Sequence, residues 1–256
     1  MSVFWQGMLA STIAGLLTGL GGFLIFMKKK YSRGDINVLL NIAAGVMLAA
    51  SFFSLLSPAM DQIVKICDDI HVAGFWFAFS VFLGVALVWI LNALLPHEHN
   101  CAGHHGLHFK LKTAWLFIIA ITLHKIPEGL AVGVAYGAES LTSPESLVIG
   151  IALHNIPEGL TIAISLVGAG VYRLKAASTA LLIGFMQPIG AIIGLLTMDV
   201  NSQIVPFGMA LAGGTLLFVV INEILPETYE AKNSKKASVS LFLGFIFMTY
   251  LTIVLD

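Results

Sequence analysis

Two nearly identical hexapeptides contain the side chains in this chain that are best suited to chemistry. They are His124-Lys125-Ile126-Pro127-Glu128-Gly129 and His154-Asn155-Ile156-Pro157-Glu158-Gly159, which differ only at the second position. Residues four apart lie on one face of a helix, so each histidine points the same way as the glutamate that follows it. Two imidazoles and two carboxylates make a mixed nitrogen and oxygen ligand set, which suits zinc and, nearly as well, iron(II), manganese or cadmium.

Both hexapeptides lie near the middle of long apolar stretches. An ionisable side chain at that depth in a membrane costs at least about 2.5 kcal/mol, so five of them need a reason. Pro127 and Pro157 each remove one backbone hydrogen bond, which predicts that each helix opens just before its His–Glu pair. The short connection between the stretches makes them antiparallel neighbours whose two faces can converge on a metal. The alternative from the residues alone is a buried polar network that only holds two helices together.

The composition places these motifs in a membrane rather than in water. The chain of 256 residues is 58% hydrophobic and 11% charged, whereas soluble domains carry about 25% charged residues. Lipid accommodates such a chain because apolar side chains face outward and backbone groups are satisfied inside helices. We therefore expect a membrane protein whose partners are divalent metal ions and the lipid bilayer. The net charge of −1 gives no indication of nucleic acid.

Eight stretches are long enough to cross a bilayer, which requires about 20 predominantly apolar residues. They are 3–27, 35–57, 74–96, 113–137, 146–170, 174–197, 204–226 and 237–255. Their lengths and their Leu, Ala and Gly content favour helices over the alternating strands of about 10 residues that build membrane barrels. The predicted fold is an all-α membrane protein of eight transmembrane helices in a single domain over residues 1–256.

Lysine and arginine are distributed asymmetrically between the two sides of these spans. Of the 13 basic residues, 11 lie in loops after odd-numbered spans, whereas Lys65 lies in an opposite loop and Lys125 within a span. Cytoplasmic loops carry an excess of lysine and arginine, so the odd-numbered loops are expected in the cytoplasm. Both termini are then extracytoplasmic.

The eight spans, both termini outside and the paired H-x-x-P-E-G motifs in spans four and five resemble the ZIP (Zrt/Irt-like) family of divalent metal transporters, in its prokaryotic type. The resemblance covers essentially the whole chain. It implies import of zinc or a related divalent metal into the cytoplasm, with a metal site between spans four and five that spans six and seven assist. It also implies alternating access, in which a moving block of helices carries the site past a more static block.

The resemblance also assigns site residues by position. The residues that match metal-binding positions of the family are His124, Glu128, His154, Glu158, Gln187 and Glu223. The first four match the primary ligands, Gln187 stands where glutamate is common, and Glu223 matches an acidic position near the inner end of span seven.

Lys125 and Asn155 depart from the two-metal centres of that family, which often have asparagine and sometimes aspartate at these positions. Gln187 departs too, since many members have glutamate there. Lys125 supplies a fixed positive charge with three donors and no acceptor. Our hypothesis is that its ammonium, beside Glu128 or Glu158, occupies the place of a second metal and leaves a mononuclear site. In the alternative, Lys125 turns elsewhere and forms a structural ion pair.

A histidine-rich segment follows span three. Five of the eight histidines of the chain lie within the predicted cytoplasmic loop 97–112, together with Cys101. These histidines are His97, His99, His104, His105 and His108. Short histidine-rich tracts bind metals weakly, so metal binding in this loop is a second prediction. The alternative is a polar linker with incidental histidines.

Other functions also fit buried histidine and glutamate. An intramembrane metalloenzyme would need an open metal position at a face that substrate can reach, and the HExxH motif is absent. A divalent cation channel is opposed by the positive charge of Lys125 in its pathway. A purely structural scaffold leaves the doubled motif unexplained. We therefore expect a carrier rather than an enzyme.

Two further expectations concern the setting of the chain. A multi-pass membrane protein without a targeting extension fits a bacterial inner membrane. Glycines within the spans, such as Gly15, Gly19, Gly184 and Gly190, allow close approach of helices. Such small-residue faces would permit a homodimer.

Overall fold

A computed structural model of the chain describes residues 2–28, 32–94, 97–99, 103–105, 113–137, 144–198, 203–228 and 234–255. The helices in these ranges are α1 (Val3–Phe23), α2 (Arg33–Ala50), α3 (Ser57–Ile66), α4 (Ile70–Leu94), α5 (Thr113–Gly137), α6 (Pro144–Gly168), α7 (Arg173–Gly184), α8 (Gln187–Met198), α9 (Val205–Val219), α10 (Leu225–Thr228) and α11 (Ser234–Leu255). The two short strands are β1 (His97–His99) and β2 (Gly103–His105), which pair antiparallel.

The described helices confirm the predicted fold class of an all-α membrane protein. Among the described residues, seven helical stretches are long and apolar enough to cross a bilayer. The helix α5, with 25 residues, has the same length as α6 and carries Lys125 and Glu128. The side of the membrane on which the termini lie stays a prediction.

Two spans contain a wider π-helical turn that the sequence analysis did not predict. The turn Ser51–Leu56 joins α2 to α3, and there the Ser57 N–H donates to the Phe52 carbonyl five residues back. Pro58 explains this change, because it has no N–H to donate to the Ser54 carbonyl. Prolines are frequent within membrane helices when the backbone adjusts locally in this way. The sequence signal for the turn was therefore Pro58.

The same device recurs between α9 and α10. The turn Val220–Ile224 is π-helical, and the Leu225 N–H donates to the Val220 carbonyl. Pro226 follows at once and removes one ordinary helical hydrogen bond. Both π-helical turns therefore precede a proline.

The helices α5 and α6 continue through Pro127 and Pro157, although we expected each to open before its His–Glu pair. One missing hydrogen bond does not end a helix that close neighbours hold on several sides. The interruption lies in span six instead, where α7 ends at Gly184 and α8 begins at Gln187.

Glycines join α1, α5, α6, α7 and α8 into a first group of helices, here named the site group. A Cβ added to Gly159 would lie 1.8 Å from the Thr18 carbonyl oxygen, and one added to Gly129 would lie 1.8 Å from that of Gln187. Real Cβ atoms do not come within 3.0 Å of such atoms. Only glycine therefore permits these backbone contacts, as is usual for tightly packed membrane helices.

Glycines also join helices of a second group, here named the frame group, which consists of α2, α3, α4, α9, α10 and α11 with the two π-helical turns. A Cβ added to Gly84 of α4 would lie 2.0 Å from the Leu211 carbonyl oxygen of α9. One added to Gly45 of α2 would lie 2.0 Å from the Leu241 carbonyl oxygen of α11. Within the frame group, α4 therefore packs backbone against backbone on α9, and α2 packs in the same way on α11.

The boundary between the two groups is packed differently. Gly150 of α6 faces the frame group, and a Cβ there would meet the Met248 thioether at 3.0 Å and the Ala50 Cβ at 3.2 Å. These are side-chain atoms, and one of them belongs to a flexible methionine. Among the described glycines, none presses one backbone onto another across this boundary. The glycine contacts between backbones therefore lie within the two groups, whereas Gly150 meets side chains at the boundary.

Replacing Gly84 with alanine is expected to destabilise the frame group, because α4 would have to move away from α9. Overpacking of this kind costs about 1–3 kcal/mol, which lowers the temperature of thermal unfolding in detergent. Gly74→Ala in the same helix is the matched control, since no described atom lies within 4 Å of an added Cβ there. Equal unfolding temperatures of the two variants would contradict this packing.

Candidate metal site

The candidate site lies where α5 and α6 face each other inside the site group. Its side chains come from the two hexapeptides and from the first residue of α8. The residues are all buried, and they are His124, Lys125, Glu128, His154, Asn155, Glu158 and Gln187. Buried charges and polar groups need partners, because an isolated one costs several kcal/mol.

Glu128, His154 and Glu158 form a compact cluster. One ligand atom from each lies within 4.8 Å of the others. His154 Nε2 lies 3.7 Å from Glu128 Oε1 and 3.7 Å from Glu158 Oε2. Ligand atoms about 2.1 Å from a tetrahedral zinc ion are about 3.4 Å apart, so this spacing fits one ion.

Glu128 Oε1 and His154 Nδ1 have no hydrogen-bond partner among the described residues. Glu128 is fully buried and His154 is 2% exposed. A buried acceptor without a donor costs about 1–3 kcal/mol. A divalent cation at Glu128 Oε1 would remove that cost for the carboxylate. The distances between the three ligand atoms therefore fit a metal ion, and so does the unpaired carboxylate oxygen of Glu128.

Lys125 places its ammonium between the two carboxylates. Its Nζ donates to Glu128 Oε2 at 2.6 Å and also to Glu158 Oε2, and the lysine side chain is completely buried. One carboxylate oxygen of Glu128 therefore faces Lys125, and the other faces His154. With both carboxylates ionised and the amine protonated, the three side chains have a formal charge of −1.

Asn155 supplies the third acceptor for Lys125. Its Oδ1 accepts from Lys125 Nζ at 2.6 Å, while its Nδ2 donates to the Ala14 carbonyl at 2.7 Å and to Gln187 Oε1 at 2.9 Å. The side chain of Asn155 thus links the ammonium to α1 and α8. Nothing in the sequence marks Ala14 as a partner of this site, because it contributes only a backbone oxygen.

The remaining predicted site residues are placed differently. His124 is buried on α5 one turn before Glu128, but it is outside the group of three converging ligand atoms. Gln187 Oε1 contacts Asn155 rather than that cluster. Glu223 lies in the π-helical turn Val220–Ile224, and its side chain is outside the described residues.

The histidine-rich loop is described only in part. In its hairpin, His97 is opposite His105, Glu98 is opposite His104, and His99 is opposite Gly103. His108 and the side chains of the two strands lie outside the described residues. Metal binding by this loop stays a prediction.

Known proteins resemble this chain over most of its length. The family model described as ZIP Zinc transporter matches residues 96–252. Zinc transporter GufA from Myxococcus xanthus is 37% identical over 98% of this chain and 97% of its own length. Zinc transporter ZIPB from Bordetella bronchiseptica is 35% identical over 91% of this chain and 76% of its own length. Zinc transporter ZupT from Akkermansia muciniphila is 31% identical over 96% of both chains.

These relatives are transporters, so the expectation that the chain is not an enzyme is confirmed and the metalloenzyme alternative is set aside. The resemblance drawn from the paired hexapeptides is confirmed as well. Together with the membrane-spanning helices, these matches show that the chain belongs to the ZIP family of zinc transporters.

Proposed function

We propose that this protein carries zinc, or a closely related divalent transition metal, across the membrane into the cytoplasm by alternating access. The observation that supports the proposal most directly is the convergence of Glu128, His154 and Glu158 at a spacing suited to one ion. The zinc transporters among its relatives support zinc as the cargo. Iron(II), manganese and cadmium would compete, because mixed nitrogen and oxygen sites select poorly among these metals.

The ion would be held between α5 and α6. Glu128 Oε1, His154 Nε2 and a Glu158 carboxylate oxygen are the proposed ligands, and His124 is the proposed fourth. Tetrahedral zinc takes four ligands, and His124 follows the same face of α5 as Glu128. Gln187 would become a ligand only if its Oε1 left Asn155. Glu223 is proposed to line the inner mouth of the pathway.

Lys125 is proposed to keep this site mononuclear. Its ammonium already occupies one oxygen of each carboxylate and the Oδ1 of Asn155. A second divalent ion between the same oxygens would lie against a buried positive charge. Two metal ions in a bridged centre lie about 3.5–4 Å apart and share carboxylate ligands. Here one oxygen of each carboxylate already accepts from Lys125, so no separate carboxylate oxygens are left for a second ion.

Transport would require the site to face each side of the membrane in turn. The glycine contacts support a division in which the site group moves as one body against the frame group. The excess of lysine and arginine in odd-numbered loops supports import, with both termini outside. We place the protein in a bacterial inner membrane.

Replacing Glu158 with glutamine is expected to reduce saturable zinc uptake into proteoliposomes by at least roughly tenfold, because the neutral amide binds a dication poorly. Changes even outside the ligand shell often cost a metal site 10- to 100-fold. Glu145→Gln is the matched control, since Glu145 is exposed in the first turn of the same helix. Cadmium, manganese and iron(II) as competitors would rank the metals.

Equal zinc uptake by wild type and Glu158→Gln would remove Glu158 from the ligand set. Large uptake that does not saturate with zinc would favour a channel over a carrier. A loss of uptake in Glu145→Gln as well would show that charge at the surface, rather than the site, controls transport.

Cadmium bound to the wild-type protein is expected to occupy one position between α5 and α6, visible by anomalous diffraction. The variant Lys125→Asn with Asn155→Asp should bind two cadmium ions about 4 Å apart, because the ammonium is gone and a carboxylate is added. Lys125→Arg is the control that keeps the positive charge and should bind a single ion. Two ions in the wild-type protein would contradict the mononuclear site.

A further inference from the structure

A polar contact crosses the boundary between the site group and the frame group. The hydroxyls of Ser54 and Ser146 form a hydrogen bond at 3.1 Å. Ser54 lies in the π-helical turn of the frame group, and Ser146 lies in the first turn of α6 in the site group. Both residues are buried, at 4% and 0% exposure. The contact therefore lies inside the boundary rather than at its edge.

The use of the Ser54 hydroxyl is not the usual one for a membrane helix. Serine in a helix commonly bonds to the backbone of the preceding turn. Ser51 does so, donating to the Leu48 carbonyl at 3.0 Å. Ser54 lies in the same π-helical turn but reaches a side chain 92 positions away. This contact lies one turn before Pro58, within the π-helical turn.

The contact exists in one register of the two helices. One turn away from it, a Cβ on Gly150 would lie 3.2 Å from the Ala50 Cβ. Position 50 thus faces 150 and position 54 faces 146, so the two segments run antiparallel. A shift by one helical turn, about 5.4 Å, would bring Ser54 to Gly150 or Ser146 to Ala50. Neither glycine nor alanine offers a polar side chain, so the hydrogen bond would be lost.

We propose that the Ser54–Ser146 hydrogen bond is a latch that holds the two groups in this register and opens whenever the site group moves. The inference rests on the proposed carrier function. It assigns a specific contact to the moving boundary, which the metal site alone does not identify. A neutral hydrogen bond changes the ratio of two states by about two- to tenfold, so the latch would set the rate of the movement without preventing it.

A disulfide at the same place tests whether this contact has to open. The variant carries Ser54→Cys and Ser146→Cys in a chain with Cys67→Ala and Cys101→Ala, so that only the new pair can cross-link. After oxidation with diamide, zinc uptake into proteoliposomes is expected to fall to the level of empty liposomes. Reduction, with removal of the reductant before the assay, should restore it. Each of the two single-cysteine variants should show the same uptake before and after oxidation.

Full uptake by the cross-linked protein would overturn the latch, because the boundary would then not move at this point. Failure of the cysteines to cross-link would overturn the contact itself. These outcomes differ from failure of the proposed function, in which the wild-type protein shows no zinc uptake before any cross-link is made.

Removing the hydroxyls tests the strength of the latch. Ser54→Ala and Ser146→Ala are each expected to change the rate of zinc uptake by about two- to tenfold in the same direction. The effect of the double variant should be smaller than the product of the two single effects, because either change alone breaks the hydrogen bond. Effects that multiply in the double variant would show two independent serines and would overturn the latch.

Discussion

The ion triad of Lys125, Glu128 and Glu158 is the constraint on which the rest of the structure depends. Each charge at this depth costs at least about 2.5 kcal/mol in isolation. Removing one partner of a buried ion pair typically costs about 3–5 kcal/mol, because an uncompensated charge remains. The chain therefore has to bring two carboxylates and one ammonium together, and it does so by packing α5 against α6. The three charges thus require α5 to pack against α6, and this packing in turn brings the charges into contact.

Charge also explains why the triad leaves room for a cation. One ammonium beside two ionised carboxylates leaves a formal charge of −1, and Glu128 Oε1 has no hydrogen-bond partner among the described residues. A site that was already neutral would bind a divalent cation weakly. A site with two uncompensated carboxylates would be costly to hold in a membrane between transport steps. In the proposed carrier, the lysine would give the site an intermediate charge that permits both binding and release of the metal.

Much of this arrangement could be predicted from the sequence because its signals are local. The spacing of His154 and Glu158 sets one helix face, and the doubled hexapeptide indicates two helices that share a site. The roles of Asn155 and Gln187 could not be derived in the same way. Asn155 donates to a backbone carbonyl of α1, more than 100 residues away in sequence, and a backbone oxygen carries no sequence signature.

Local sequence signals did not predict how the helix backbone responds to each proline. Pro127 and Pro157 are accommodated within continuous helices, whereas the turns before Pro58 and Pro226 become π-helical. A proline removes one hydrogen bond in every case. The neighbouring helices decide how the backbone responds, and a single sequence does not reveal them.

The distribution of polar contacts agrees with the distribution of glycines. The hydrogen bonds that hold the site join α5, α6, α8 and α1, all members of the site group. The glycine contacts that fix these helices, such as Gly129 on the Gln187 backbone, lie in the same group. A movement between the groups would therefore carry the whole polar network intact and expose none of its buried charges to lipid. A polar site can move past neighbouring membrane helices at a low cost in free energy only if the residues that hydrogen-bond to it and pack closely around it move with it.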